Sequence, residues 1–187
     1  MVVMRYWHAG VLGAAISLPV AGGIVQQAHA DGLVSEVKVG VLAHDVPDLW
    51  SGFQREEDSV NINAELLLSP SAIFLGGTLR PAIGASVNTA GDTSFGYIDA
   101  HWQYDFPNGM FFSVGVGGAI HDGNLDPVDP DRKALGSELL FHIPIELGYQ
   151  IDQHNNISVY FEHFSNGYTQ DFNEGLDNLG IRYGYRY

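Results

Sequence analysis

His163 and Ser165 stand two residues apart near the end of an alternating segment. An imidazole beside a hydroxyl is the base and nucleophile pair of acyl transfer. In this segment Ile157, Val159 and Phe161 alternate with Asn156, Ser158 and Glu162. A period of two therefore puts His163 and Ser165 on the apolar face. There they are costly unless they pair. Asp177 has the same parity in the last segment, whose apolar face carries Leu179, Ile181, Tyr183, Tyr185 and Tyr187. If the last two segments are neighbours, a carboxylate joins the imidazole and hydroxyl, and the three can form a Ser–His–acid triad. Glu174 is a rival acid, expected within the loop over 166–175. A plainer alternative is that polar residues at a strand end only mark where the apolar zone stops.

The elements that must position these residues are strands. Eight period-2 segments run near 36–44, 60–68, 79–88, 98–104, 110–121, 138–150, 156–165 and 177–187. Short connections are expected at Ser69-Pro70-Ser71, Pro107-Asn108-Gly109 and Gln153–Asn156. Longer loops over 45–58, 88–93, 122–135 and 166–175 alternate with them. This is the pattern of an all-β, eight-stranded antiparallel transmembrane β-barrel, with the long loops outside the cell. A soluble sandwich also alternates, but two features favour the membrane. Lys38, Glu65, Arg80, Asp99, Glu138, Glu146, Glu162, Arg182 and Arg186 fall on the polar face, as a narrow lumen requires. Trp102, Tyr104, Tyr149, Tyr183, Tyr185 and Tyr187 end the apolar faces, as interfacial girdles do. Eight strands leave no open pore, so transport is not expected.

Composition narrows the function further. The 187 residues carry a net charge of −14 and no cysteine. An acidic chain is no phosphate-tracking nucleic-acid binder. Without cysteine there is no disulfide scaffold, thiolate zinc site or cysteine nucleophile. Residues 1–30 read as a signal peptide: Arg5, an apolar small-residue stretch, then Ala28-His29-Ala30 before the first acid, Asp31. The barrel domain is then 31–187, exported to the bacterial outer membrane.

His163-Phe164-Ser165-Asn166, followed by Asn173-Glu174-Gly175-Leu176-Asp177, resembles the PagL-type lipid A 3-O-deacylase family. That family has a His-x-Ser-Asn motif and then an Asn-acid-Gly-aliphatic-acid segment. More weakly, His44-Asp45, Asn88–Asp92 and Arg132–Ser137 look like segments of its proteobacterial acyloxyacyl hydrolase branch. The resemblance implies an eight-stranded outer-membrane esterase that removes an ester-linked acyl chain from lipid A. It implies Ser165 as nucleophile, His163 as base, Asp177 at the third triad position and Asn166 as oxyanion stabiliser. The type member carries Glu where this chain has Asp177, and often Ala-Gly where it has Gly167-Tyr168. The implied partners are lipopolysaccharide or lipid A and other outer-membrane lipids, with a homodimer left open. No cofactor or metal is called for. An apolar groove for acyl chains is expected, with Trp102 and Phe161 as candidate lining. The alternative function is a non-enzymatic barrel with a structural or adhesive role.

Other features have plainer explanations. Gly115-Val116-Gly117-Gly118 lies inside a strand and reads as small lumen-facing residues, not a phosphate loop. His101, His121 and His142 share the inward face and read as hydrogen-bonded lumen histidines before a metal site. Arg55, Arg132 and Lys133 fall in outer loops, where solvated charge accounts for them as well as lipid A phosphates do. Asp122, Asp126, Asp129 and Asp131 do not match a calcium loop.

Overall fold

Strands with one polar and one apolar face can hide every backbone polar group from hydrocarbon by closing into a ring. The computed structural model, which describes residues 32–52 and 54–187, shows that closure; the expected signal peptide lies outside the described residues. The strands are β1 (Val34–Ala43), β2 (Val60–Leu68), β3 (Ala72–Phe74), β4 (Gly77–Asn88), β5 (Phe95–Asp105), β6 (Met110–His121), β7 (Leu139–Gln150), β8 (Asn155–Ser165) and β9 (Leu176–Arg186). Neighbours pair antiparallel from β4 through β9, then β9 with β1, β1 with β2, and β2 with β4, which completes the ring. Eight strands make the barrel, and β3 is an appendage paired only with the start of β4.

The appendage corrects one expectation. Ser69-Pro70-Ser71 is not the turn but a break in one hairpin arm, where Pro70 lacks an N–H to pair. The turn is Leu75-Gly76, both with positive φ (48° and 78°). That geometry suits a two-residue hairpin turn, but leucine is a poor advertisement for it.

The faces follow the alternation. Val39, Val41, Ile62, Ile98, Val116, Leu147, Val159 and Ile181 are exposed on the outside. Lys38, Glu65, Asp99, Glu146, Glu162 and Arg182 are buried in the lumen. This is an inside-out protein, with water-like chemistry inside and hydrocarbon-like chemistry outside. Glu138 departs from the expected set: it lies exposed at the rim, one residue before β7. The lumen charges pair: Lys38 Nζ reaches Glu146 at 2.6 Å, and Arg182 Nη2 reaches Glu65 at 2.7 Å. Gly115 and Gly117 make room there; a side chain at 117 would collide with the Asp99 carboxylate. The aromatic girdle gathers at the short-turn end, where Trp102, Tyr104 and Phe106 form one run of contacts and Tyr185 meets Tyr187.

Candidate active site

Strands β8 and β9 are adjacent, and their register sets His163 directly opposite Asp177. Ser165 is two residues further along β8, on the same outward face. Directly opposed side chains in an antiparallel pair are within reach even when short. His163 Nδ1 lies 2.6 Å from Asp177 Oδ1, and His163 Nε2 lies 2.9 Å from Ser165 Oγ. A carboxylate accepts from Nδ1–H, which leaves Nε2 to accept the Ser165 hydroxyl proton. The expected residues are thus brought into one continuous hydrogen-bonded chain at the long-loop end of the barrel.

A carboxylate on an outward face should be exposed to lipid, yet Asp177 is fully buried and His163 is only 5% exposed. The cover is the loop between β1 and β2. Its Val46 N–H donates to Asp177 O at 2.7 Å, and its Ser51 N–H donates to Asp177 Oδ2 at 2.7 Å. The Trp50 ring lies flat on the His163 imidazole, with centroids 5.0 Å apart and planes within 11°. Trp50 is also parallel to Phe161 at 6.4 Å. Gly175, at φ 66°, permits this approach, because a Cβ there would sit 3.2 Å from Ser51 Cβ and 3.4 Å from His163 Cε1. A pocket of about 240 Å³ opens onto the pair, lined by Trp50, Ser51, His163, Ser165, Tyr168 and Glu174 among others.

Glu174 lines the pocket but does not bond His163. Its carboxylate accepts from the Ala134 N–H and ties the 166–175 loop to the 122–138 loop. Asn166 also departs from its expected place. Its side chain turns into the loop interior, where Nδ2 donates to Leu135 O (2.9 Å) and Phe172 O (2.5 Å). With both carbonyls to satisfy, the amide has no donor left for the pocket. Asn173 Oδ1 accepts from the Asn166 N–H at 2.8 Å, so the two asparagines brace one loop. Gly167 and Tyr168, consecutive and both at positive φ, line the same pocket. Among the described residues their N–H groups have no hydrogen-bond partner.

The candidate lining residues part company. Phe161 lies on the outer face two residues from His163, in contact with Trp50. Trp102 is corrected: it sits at the short-turn end, its Nε1–H donating to Phe74 O at 2.7 Å. Trp50 and Ser51 were missed because they lie in a loop without periodicity, where nothing in the sequence signals a fold-back onto β8.

Another missed residue is Glu57. It accepts from Thr93 N and Thr93 Oγ1 at 2.9 Å and from Lys133 N at 3.1 Å, and pairs with His44 Nε2 at 2.8 Å. His44-Asp45, the stretch ending at Asp92 and Arg132–Ser137 therefore converge on one buried carboxylate. Burial alone would raise the Glu57 pKa, but hydrogen bonds from His44, Thr93 and Lys133 bring it down to about 2. Burial raises the neighbouring Asp45, against the N–H groups of Glu56 and Glu57 that favour its charge. His101 and His142 flank Asp99 in the lumen, while His121 Nε2–H donates to Ser137 O at the rim. Glu65, Asp99 and His101 lie close enough to hold a metal ion. However, the two facing carboxylate oxygens already accept from Tyr97 and His142.

A family model described as lipid A 3-O-deacylase (PagL) matches residues 75–186. Among solved structures, the chain is similar to a crystal structure of the outer membrane enzyme PagL. The TM-score is 0.61 at 19% identity, over 80% of this chain and 98% of that one. It is also similar to a de novo designed transmembrane β-barrel, with a TM-score of 0.50 at 12% identity, over 88% and 100%. At these identities the structural likeness speaks for the fold. No curated protein matches the chain in sequence.

Proposed function

We propose that this chain, which belongs to the PagL family of lipid A 3-O-deacylases, is an outer-membrane serine esterase that hydrolyses the 3-O-linked acyl chain of lipid A. One observation carries the reading: the unbroken Ser165–His163–Asp177 hydrogen-bond chain on the outward face of a membrane barrel. A lipid approaches such a site laterally, from the outer leaflet.

His163 Nε2 takes the Ser165 proton as Oγ attacks the ester carbonyl. The imidazolium that forms is held by Asp177 through Nδ1–H. The tetrahedral intermediate collapses, His163 returns the proton to the departing sugar oxygen, and the acyl group stays on Ser165. Water, deprotonated by His163, attacks the acyl-serine; the fatty acid leaves and Ser165 regains its proton. The oxyanion falls to the Gly167 and Tyr168 amides, since the Asn166 amide is engaged elsewhere. Such donors typically contribute about 3 kcal/mol each.

The test is purified protein in detergent, given lipopolysaccharide, with lipid A read by mass spectrometry. The expected result is loss of one ester-linked hydroxyacyl chain, abolished by Ser165→Ala and by His163→Ala. Turnover that survives Ser165→Ala overturns the nucleophile. An intact lipid A under all conditions favours the structural or adhesive barrel instead.

A further inference from the structure

We infer that Trp50 is a positioning residue of the reaction: its indole face holds the His163 imidazole and stabilises the imidazolium that forms as Ser165 attacks. The kinetic part of this inference rests on the esterase reading; the contact itself does not. Trp50 lies in the β1–β2 loop, outside residues 75–186 that carry the family match. It is therefore a feature of this chain beyond that matched span.

Three observations support it. First, the two rings are nearly coplanar in orientation, 11° apart with centroids at 5.0 Å. This is a parallel, offset stack, and a π face attracts a cation more than a neutral ring. The imidazole is neutral in the ground state and positive in the transition state. The stack is thus stronger in the transition state, which is the condition for accelerating chemistry. Second, the loop is pinned at this spot. The next residue, Ser51, gives its N–H to Asp177 Oδ2 at 2.7 Å, and Val46 N–H binds Asp177 O. The same segment therefore fixes both partners of the imidazole: the acid through Ser51, the ring through Trp50. Third, Trp50 is also stacked parallel to Phe161 of β8, with planes 2° apart and centroids 6.4 Å apart, so the orientation of the indole plane is matched by two rings of the strand that carries His163.

The groups facing His163 are few. Strand β9 presents Asp177, the 166–175 loop presents Glu174 in the pocket, β7 presents Ile143, and the β1–β2 loop presents Trp50 and Ser51. Glu174 is held by the Ala134 N–H, and the ring's hydrogen-bond and stacking partners among the described residues are Asp177, Ser165 and Trp50.

The test separates the π face from mere bulk. Trp50→Phe keeps a ring and should hold kcat within a few-fold. Trp50→Leu keeps apolar bulk without the ring face. It should lose kcat by about 10- to 100-fold, the scale of a misplaced catalytic group, with KM changed less than kcat. The acid limb of its pH–rate profile should move to lower pH, because the imidazolium has lost a stabilising neighbour. Trp50→Leu with wild-type kcat and an unshifted profile overturns the inference. A second measurement needs no substrate. With Trp7 and Trp102 replaced by Phe, Trp50 is the remaining tryptophan, and a protonated imidazole stacked on it quenches its fluorescence. Emission should fall as pH is lowered through the His163 titration, and the fall should vanish in His163→Ala. Flat emission overturns the contact, whatever the protein does to lipid A. A clear titration without any lipid A hydrolysis leaves the stack standing and removes the esterase reading.

Discussion

At the residue scale the proposed triad raises the question of how an aspartate reaches the imidazole where the resembled type member has glutamate. Register answers it. Asp177 stands directly across from His163, so a one-methylene side chain spans the gap at 2.6 Å. Ser51 N–H then fixes the other oxygen, which limits the freedom of a short acid. Asp177→Asn should lower kcat by about 10⁴-fold, as loss of the carboxylate leaves the wrong imidazole tautomer in place. Glu174→Ala should cost less than tenfold, through slackening of the loop it ties to Ala134. The comparison is a steady-state assay on the two variants side by side. If Asp177→Asn keeps its rate while Glu174→Ala is crippled, the acid has been assigned to the wrong residue. This part of the site is legible in the sequence because parity alone sorts His163, Ser165 and Asp177 onto one face. The direction of the Asn166 amide is not legible, because it depends on Leu135 and Phe172 carbonyls delivered by two separate loops.

At the scale of elements, the strands announce themselves and the loops do not. Alternation reports which face each strand residue takes, so the sequence places Lys38, Glu65 and Arg182 inside without a structure. Loops have no period, and their docking is decided by single contacts such as Glu57 with Thr93 and Lys133. That carboxylate joins the β1–β2, β4–β5 and β6–β7 loops, and its acidity makes the joint pH-sensitive. Its folded pKa of about 2 lies below the ordinary 4.5. A depressed carboxylate stabilises the folded state above its unfolded pKa and loses that contribution as pH falls through its folded pKa. The outer loops should therefore stay joined down to about pH 4.5 and loosen progressively toward pH 2. Pepsin digestion across this window should cut the wild-type loops increasingly faster as pH falls. Glu57→Gln should be cut readily throughout, with little further dependence from this group. Asp45, raised by burial, works in the opposite direction, so the difference between wild type and Glu57→Gln is the quantity to read. A wild type whose cutting rate relative to Glu57→Gln is no higher at pH 2 than at pH 4.5 would contradict the joint.

At the scale of the whole molecule, the barrel replaces an apolar core with a core of charges. Which residues enter the lumen follows from parity, but who meets whom follows from closure. Lys38 and Glu146 are 108 residues apart in sequence and 2.6 Å apart in space, and no local pattern predicts that. Arg182 is the keystone among the described residues. It reaches Glu65 at 2.7 Å and Glu146 at 3.6 Å, and its guanidinium lies 3.9 Å from the Tyr160 ring centre. Removing one partner of a buried pair leaves an uncompensated charge, which typically costs 3–5 kcal/mol, or about that here. Removing the charge on both sides costs much less, because nothing is left stranded. Arg182→Met should thus lower the temperature at which the folded barrel converts to its slower-migrating unfolded form on a gel. Adding Glu65→Gln should recover part of the loss, although it deletes a second native group. The recovery should be incomplete, since Glu146 still lacks one of its two cations while Lys38 remains at 2.6 Å. Neither variant touches the outward face, so turnover per folded molecule should hold. A double variant less stable than Arg182→Met would show that the pair stabilises by packing and not by charge balance.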